Sequence, residues 1–274
     1  MILTDYHVHS NFSVDACEAA NMEGMIRRAI KLGMRELAIT DHRDYMPYGL
    51  FVETSSDTEA SISEFMRQRE IYSDMISLLL GIEIGIMPQQ ASEIEKLLTK
   101  YPFDFVIGSS HDPPVGTSYF FSGYFEGKTK QDAYFEYFTH TLENILSTDG
   151  FDVYGHLDYI FRYSSVNNIY PDNSLSYVDY SEIIDEILKA LISRGKGIEI
   201  NTSGYKYGLG TIHPQPEILK RYRELGGEII TIGSDAHAPG EIGSDFDRAE
   251  QILKECGFTA YTRFIQRKPV WEKF

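Results

Sequence analysis

The 274-residue chain has little of what marks several large classes of protein. Its two cysteines, Cys17 and Cys256, lie far apart in the sequence, so they indicate neither a disulfide framework nor a thiolate zinc site. No apolar run approaches the ~18 residues of a membrane helix, and the opening residues MILTDYH do not resemble a signal peptide. We therefore expect a cytoplasmic protein with no membrane partner.

Positive charge is also scarce in this sequence. The 25 lysines and arginines are outnumbered by 41 aspartates and glutamates, and the net charge is −16. Such an excess of acid repels polyanions, so we do not expect a nucleic acid as partner. It argues less against a small phosphorylated substrate, because bound divalent cations can invert the field locally.

No glycine-rich phosphate loop follows the first apolar run, which argues against a dinucleotide-binding fold. Instead, short apolar runs alternate with amphipathic stretches, and the sequence contains no internal repeat or interdomain linker. We predict seven strands, at 2–9, 36–40, 78–86, 103–109, 152–156, 197–201 and 228–234. The alternation predicts a parallel sheet with crossover helices, and an open doubly wound sheet and a closed barrel both satisfy it. The length fits a single domain over residues 1–274.

Polar side chains gather where the predicted strands end. The first strand ends in DYHVHS, in which the two histidines have the i, i+2 spacing that places side chains on one face of a strand. Six of the eight histidines fall at predicted strand ends, whereas His140 and His213 do not. The residues at these ends are His7, His9, Asp41, His42, Glu83, His111, His156, Asn201, Asp235 and His237.

Taken alone, a histidine at a strand end is an ordinary core or loop residue. Six such histidines are harder to explain this way, because barrel closure would bring the strand ends together in one pocket. Imidazoles and carboxylates crowded there would be costly to bury without a cation. Nitrogen and oxygen donors suit Zn, Fe or Mn, and their number exceeds the need of one tetrahedral ion. The sequence therefore predicts a site for two to three divalent transition-metal ions.

The ordered segments DYHVHS, ITDH, GIEIG, GSSH, YGHLDY and GSDAH resemble the polymerase-and-histidinol-phosphatase (PHP) family. Within that family, the chain is most similar to the monofunctional histidinol-phosphate phosphatases, through stretches such as FEGKTKQDAYFEYF and EINTSGYK. The resemblance implies an α/β fold, a distorted TIM-like (β/α)7 barrel that forms one catalytic domain. It also implies a phosphomonoesterase of histidine biosynthesis, acting on L-histidinol phosphate.

The resemblance further implies three sets of metal ligands. The first set is His7, His9, Glu83 and Asp235, and the second shares Glu83 and adds His111 and His156. The third set is Asp15, His42 and His237. Asp15 stands where relatives have histidine, and Asp112 stands where they have an apolar residue.

The expected nucleophile is a hydroxide held between two ions that share Glu83, with Asp235, His42 and Asp15 as further catalytic residues. Arg162 and Lys206 are the candidate phosphate-binding residues, although a solvated surface role would explain either one. Asp41, Asp112 and the tyrosines of 119–124 are weaker candidates for contacts to the amine and imidazole.

Three other functions are compatible with parts of this pattern. A PHP phosphoesterase for another small phosphate ester or a nucleotide would share every metal ligand and differ in the loops at 42–60, 110–128 and 157–177. A nuclease or proofreading domain is disfavoured by the acidic charge. A non-enzymatic metal-binding module would have no need for an open water position.

Overall fold

The strands pair in the order in which they follow one another along the chain. A computed structural model describes residues 2–44, 57–112, 123–170 and 174–274. Its strands are β1 (Thr4–Val8), β2 (Glu36–Ile39), β3 (His42–Asp44), β4 (Ser77–Gly85), β5 (Phe105–Ser109), β6 (Val153–Tyr154), β7 (Gly197–Asn201), β8 (Ile230–Gly233), β9 (Ala260–Ile265) and β10 (Lys268–Lys273). All pairs from β1 to β8 are parallel, in the order β1-β2-β4-β5-β6-β7-β8.

The sheet curls until its first and last strands meet. Val8 at the end of β1 forms a parallel bridge with Ala236, just after β8. The His9 N–H donates to the Ala236 carbonyl at 2.8 Å. The two edges thus satisfy each other's backbone groups, as barrel closure requires. The predicted (β/α)7 barrel is confirmed.

Helices connect the strands and cover the outside of the barrel. They are α1 (Met22–Lys31), α2 (Thr58–Ile71), α3 (Ala91–Lys100), α4 (Lys130–Ser147), α5 (Ile160–Val166), α6 (Ser181–Ser193), α7 (Ser203–Lys206), α8 (Pro216–Glu224) and α9 (Phe246–Glu255). In α1, Asn21 accepts a hydrogen bond from the Gly24 N–H at the start, and Met22, Met25, Ile26 and Ala29 form the buried face. No helix among these is long and apolar enough to cross a membrane.

The interior of the barrel is apolar at the amino ends of the strands and polar at the carboxyl ends. Tyr6, Phe105 and Phe264 pack together at the amino end, with Tyr6 edge-on to Phe105 at a centroid distance of 4.9 Å. Along β4, Leu79 belongs to this apolar cluster, whereas Glu83 lies four residues further on, at the other end. Because side chains alternate along a strand, both face inward. The polar site therefore rests on an apolar floor.

The antiparallel hairpin of β9 and β10 was not among the predicted elements. It closes the amino end of the barrel, where the Arg263 guanidinium donates to both carboxylate oxygens of Glu36, at 2.9 and 2.7 Å. Phe264 adds its ring to the apolar floor, and its N–H donates to the Tyr6 hydroxyl at 2.8 Å.

Some predicted boundaries need correction. The predicted strand 36–40 is interrupted after Ile39 and resumes as β3, which pairs His42 with Glu83 in parallel register. The predicted strand 152–156 shortens to Val153–Tyr154. Parts of the long connections, at 45–56, 113–122 and 171–173, lie outside the described residues.

Candidate metal centre

Four side chains from three strands meet at the carboxyl end of the barrel. His7 lies on β1 and Glu83 on β4, His9 directly follows β1, and Asp235 follows β8 with a positive φ of 54°. Four nitrogen–oxygen distances join them: 3.1 Å for His7 Nε2–Glu83 Oε2, 3.5 Å for His9 Nε2–Glu83 Oε2, 3.4 Å for His9 Nε2–Asp235 Oδ1 and 3.8 Å for His7 Nε2–Asp235 Oδ1. We call these four residues the inner set.

These distances fit donors that share a metal ion. Two ligands at about 2.1 Å from a tetrahedral ion lie about 3.4 Å from each other. Within the described part of the chain, His7 Nε2, His9 Nε2 and Glu83 Oε2 are buried and have no hydrogen-bond partner. Buried polar atoms are rarely left in this state, so their convergence indicates a cation site. The donors present therefore fit a divalent metal.

The second carboxylate oxygen of Glu83 faces other partners. Its Oε1 lies 3.0 Å from His111 Nε2 and 2.9 Å from His156 Nε2, and it accepts a hydrogen bond from Ser109 Oγ at 2.7 Å. Glu83 therefore stands between two groups of imidazoles with one oxygen towards each. This is the arrangement of a carboxylate that bridges two ions.

A third group lies nearer to the solvent, and we call it the outer set: Asp15, His42 and His237. Asp15 Oδ2 lies 3.5 Å from His42 Nε2 and 3.2 Å from His237 Nε2. The Asp15 side chain is 57 % exposed, whereas that of Glu83 is fully buried. His42 also joins the two sets, because its Nδ1 lies 2.9 Å from Glu83 Oε2.

The closest groupings of donor atoms differ in part from the predicted sets. Among the described residues, four trios have donor atoms that all lie within 4.8 Å of one another. These are His7, His9, Asp235; His7, Glu83, His156; His42, Glu83, His111; and His9, His42, His237. The trio that contains His42 and His237 is thus completed by His9, with Asp15 outside it.

The surroundings favour the metal-binding forms of Glu83 and His9, whereas neighbouring carboxylates outweigh burial and raise the pKa values of His7, His42 and His111. Burial raises the pKa of Glu83, but the imidazoles of His7, His111 and His42 outweigh it and hold that pKa well below its usual value. Burial, together with His42 and His237, lowers the pKa of His9 well below its usual value, which leaves the imidazole neutral. An ionised carboxylate and a neutral imidazole are the forms that bind metals.

Two further carboxylates hold ligands in place, and sequence reasoning missed both as site residues. Glu199 on β7 lies 2.7 Å from His7 Nδ1, and Asp44 on β3 lies 2.8 Å from His111 Nδ1. A signal was present in each case. Glu199 is the central residue of GIEIN, just as Glu83 is the central residue of GIEIG. Asp44 is two residues after His42, which places the two side chains on the same face of a strand.

The weaker candidate Asp41 proves to be structural. Its carboxylate accepts hydrogen bonds from Ser10 N, Ser10 Oγ, Ser13 Oγ and Ser61 Oγ, at 2.7 to 3.0 Å. These bonds fix the loop after β1, so Asp41 has little capacity left for a ligand. Of the tyrosines at 119–124, Tyr124 is buried and donates to the Ala133 carbonyl at 2.6 Å, and 119–122 lie outside the described residues.

The two basic candidates differ in their surroundings. The Arg162 guanidinium carbon lies 3.3 Å from the centroid of the Tyr207 ring, and among the described residues no carboxylate is within ion-pair distance of it. Lys206 Nζ donates to Glu241 Oε2 at 2.6 Å. Glu241 also accepts the His237 N–H at 2.8 Å, which places Lys206 beside the outer set.

The two histidines away from the predicted strand ends lie apart from the cluster. His213 Nδ1 is 2.5 Å from Asp158 Oδ1, and its backbone pairs with that of Asn201. His140 lies on α4, where its Nδ1 is 3.8 Å from Glu143 Oε2. Neither belongs to a trio of metal-binding atoms in the described part of the chain.

Fold and site together define a (β/α)7 barrel protein with a candidate multinuclear metal centre at the carboxyl ends of its strands. A family model for the PHP domain matches residues 5–203. The histidinol-phosphatase of Lactococcus lactis is 32% identical over 266 residues, which cover 96% of this chain and 95% of the relative. A probable histidinol-phosphatase of Clostridium acetobutylicum is 32% identical over 92% of this chain and 93% of its own length. The chain belongs to the PHP family.

Solved structures agree with this assignment. The crystal structure of histidinol phosphate phosphatase from Lactococcus lactis, complexed with Zn, L-histidinol and phosphate, superimposes with a TM-score of 0.82 at 30% identity. The alignment covers 97% of this chain and 98% of that one. A putative histidinol phosphatase from Listeria monocytogenes has the same fold, with a TM-score of 0.74 at 20% identity over 89% of this chain and 99% of that one.

Proposed function

We propose that this chain is a metal-dependent phosphomonoesterase that hydrolyses L-histidinol phosphate to L-histidinol and phosphate. The observation that carries the chemistry is the position of Glu83, whose two oxygens face different groups of imidazoles at 2.9 to 3.5 Å. The substrate is proposed from the near full-length similarity to histidinol-phosphatases. A cytoplasmic location is part of the same proposal.

The proposed ligands form three groups that would hold two to three zinc, iron or manganese ions. His7, His9, Glu83 and Asp235 would bind the first ion. Glu83, His111 and His156 would bind the second. The outer set of Asp15, His42 and His237 would bind the third. Bound there, divalent ions would lower the pKa of a water molecule towards neutrality and neutralise charge on the phosphoryl oxygens.

Arg162 is the proposed anchor for the phosphoryl group. Its guanidinium is held against the Tyr207 ring and has no carboxylate partner among the described residues, so its N–H groups can donate to phosphate. The stacking fixes the plane of the guanidinium, which reduces the entropy lost on binding. Lys206 would add positive charge beside the outer set, after release from Glu241.

Asp112 is the proposed contact for the positively charged part of the substrate. It directly follows His111, and burial together with the nearby Asp44 raises its pKa to about 6. A carboxylate in that environment is stabilised by a cation, and histidinol phosphate carries an amine.

The test is phosphate release by the chain after reconstitution with zinc, iron or manganese. The panel holds L-histidinol phosphate, nucleoside monophosphates, sugar phosphates and labelled single-stranded DNA. We expect turnover of L-histidinol phosphate with the highest kcat/KM in the panel. Faster turnover of another ester would replace the substrate, and metal-loaded protein that hydrolyses nothing in the panel would contradict the proposal.

A further inference from the structure

Glu199 is a fully buried carboxylate that the reaction as proposed does not use. It stands in the middle of β7 and accepts three hydrogen bonds. Its Oε1 lies 2.7 Å from His7 Nδ1, and its Oε2 accepts from the His156 backbone N–H and from Asn201 Nδ2, both at 3.1 Å. One carboxylate thus contacts a ligand of the first proposed ion and the backbone of a ligand of the second.

The barrel leaves room for this carboxylate at two glycines. A Cβ atom at Gly233, at the end of β8, would overlap both Glu199 Oε1 and the Cβ of His7. A Cβ atom at Gly155, just after β6, would lie 2.7 Å from Ser109 Oγ and 3.4 Å from Glu199 Oε2. Both glycines therefore allow Glu199 and the ligands beside it to approach closely.

The contact with Glu199 decides which nitrogen of His7 is available for metal binding. A carboxylate accepts hydrogen bonds, so His7 Nδ1 carries the proton and His7 Nε2 presents its lone pair. That Nε2 is the atom that lies 3.1 Å from Glu83 Oε2 in the inner set. Ligating histidines are commonly oriented by a carboxylate on the other ring nitrogen.

We propose that Glu199 is a positioning residue that fixes the tautomer of His7 and the place of His156, and so couples the first and second metal positions. This inference rests on the metal-binding part of the proposed function. The role needs an acceptor at both carboxylate oxygens, because donors face each of them. Glutamine has one acceptor, its oxygen, and one donor, its NH2 group. In Glu199→Gln the NH2 group would therefore face either His7 Nδ1–H or the two donors on the other side, the His156 N–H and Asn201 Nδ2.

The experiment measures zinc binding by the full chain, with a competing chelator, for wild type and Glu199→Gln. We expect the affinity for at least one ion to fall by about 10- to 100-fold. We also expect the His7 Nδ1–H signal in long-range proton–nitrogen spectra of the zinc-loaded protein to move upfield or to be lost in the variant, because the proton no longer faces a charged acceptor. A merely structural role would leave this signal unchanged.

The matched control is Glu36→Gln, a second buried glutamate on the same barrel. The Glu36 side chain bonds Arg263, Tyr6 and Ser77 at the amino end, and within the described part of the chain it bonds none of the metal donors. We expect this variant to lower the melting temperature and to leave zinc affinity within about twofold of wild type, because distant sites act independently. A loss of zinc affinity in Glu36→Gln as large as in Glu199→Gln would make the effect one of general stability and overturn the inference.

A second variant separates charge from geometry and decides the matter if Glu199→Gln does not fold. Glu199→Asp keeps the charge, but its carboxylate is withdrawn by about 1.5 Å and cannot reach His7 and His156 together. We expect zinc affinity to fall here as well. Unchanged zinc affinity in a folded Glu199→Gln or Glu199→Asp variant would overturn the inference. A chain that binds zinc as expected but hydrolyses no histidinol phosphate would instead contradict the proposed function alone.

Discussion

The inner and outer sets of donors have similar chemistry but opposite surroundings. In the inner set, the side chains of His7 and Glu83 are fully buried, and strands carry both of them. In the outer set, Asp15 is 57 % exposed and lies in the loop between β1 and α1. Ligands held by strands have little freedom to move, whereas an exposed carboxylate on a loop must be ordered when an ion binds.

The difference extends to the groups behind the ligands. Glu199 holds His7 and Ser109 holds Glu83, at 2.7 Å in each case. For Asp15, only the contacts with His42 and His237 are found among the described residues. We therefore expect the inner set to bind its ion more tightly than the outer set.

Complete removal of metal should have the largest effect. Prolonged treatment with a strong chelator is expected to abolish phosphate release, and zinc should restore it. We expect metal loss in two phases, with the faster phase from the outer set, in which Asp15 is exposed. Metal content and activity measured over the same time course check this, and a single uniform phase would contradict the contrast.

Glu83→Gln tests the inner set directly. The variant loses the charge that would balance the two proposed ions. Loss of Lewis-acid stabilisation worth several kcal/mol corresponds to a fall in kcat of about 10³-fold or more. Metal content should fall as well, while circular dichroism should report an intact barrel. Near-normal turnover by Glu83→Gln would show that this carboxylate does not bridge.

Arg162→Ala removes a partly buried cation that belongs to neither set. Hydrogen bonds from a charged group to phosphate contribute about 1.5–3 kcal/mol each, so kcat/KM should fall by about 10²-fold. Metal content should stay at the wild-type level, unlike in Glu83→Gln. If both the KM for substrate and the KI for inorganic phosphate were unchanged, Arg162 would not bind the phosphoryl group.

Asp15→Asn tests the outer set. A neutral amide is a weaker ligand than a carboxylate, so we expect one ion to be lost on dialysis. We expect kcat/KM to fall by about tenfold, which is the lower end of the range for weakened metal sites. Asp15→His is the matched variant, because it keeps a metal-binding side chain, and it should retain the third ion. Loss of all ions from Asp15→Asn would mean that the two sets are not independent.

Lys206→Ala should have the smallest effect. The lysine is paired with Glu241 and partly exposed, and such pairs contribute about 0.2–1 kcal/mol. We expect kcat/KM to change by less than about fivefold, with a steeper salt dependence in wild type than in the variant. A loss as large as that of Arg162→Ala would make Lys206 a principal phosphate ligand.

Much of the fold and of the candidate site could be predicted because both follow local rules. The apolar runs and the amphipathic stretches between them indicate a parallel barrel, and the strand ends identify His7, His9, Glu83 and Asp235. Glu199 shows what local rules leave out. Its neighbours in the sequence are like those of Glu83, but its role depends on its contact with His7. His7 is 192 residues away in sequence and becomes adjacent only when the barrel closes.

The amino end of the barrel illustrates the same limit. Arg263 and Glu36 form a partly buried ion pair between residues 227 positions apart in sequence. The hairpin that carries Arg263 does not belong to the repeating β/α pattern, so that pattern does not predict it. The break in the second predicted strand has a similar origin. At this break the Asp41 carbonyl still accepts the Glu83 N–H, while its carboxylate accepts hydrogen bonds from Ser10, Ser13 and Ser61 in other parts of the chain.

The most direct test of the proposed metal centre is anomalous diffraction from crystals of the zinc-reconstituted chain, recorded on both sides of the zinc absorption edge. A centre bridged by Glu83 predicts two strong zinc peaks about 3.5–4 Å apart, one beside His7, His9 and Asp235 and the other beside His111 and His156. It also predicts a weaker peak beside Asp15. A single peak, or zinc bound away from Glu83, would contradict it.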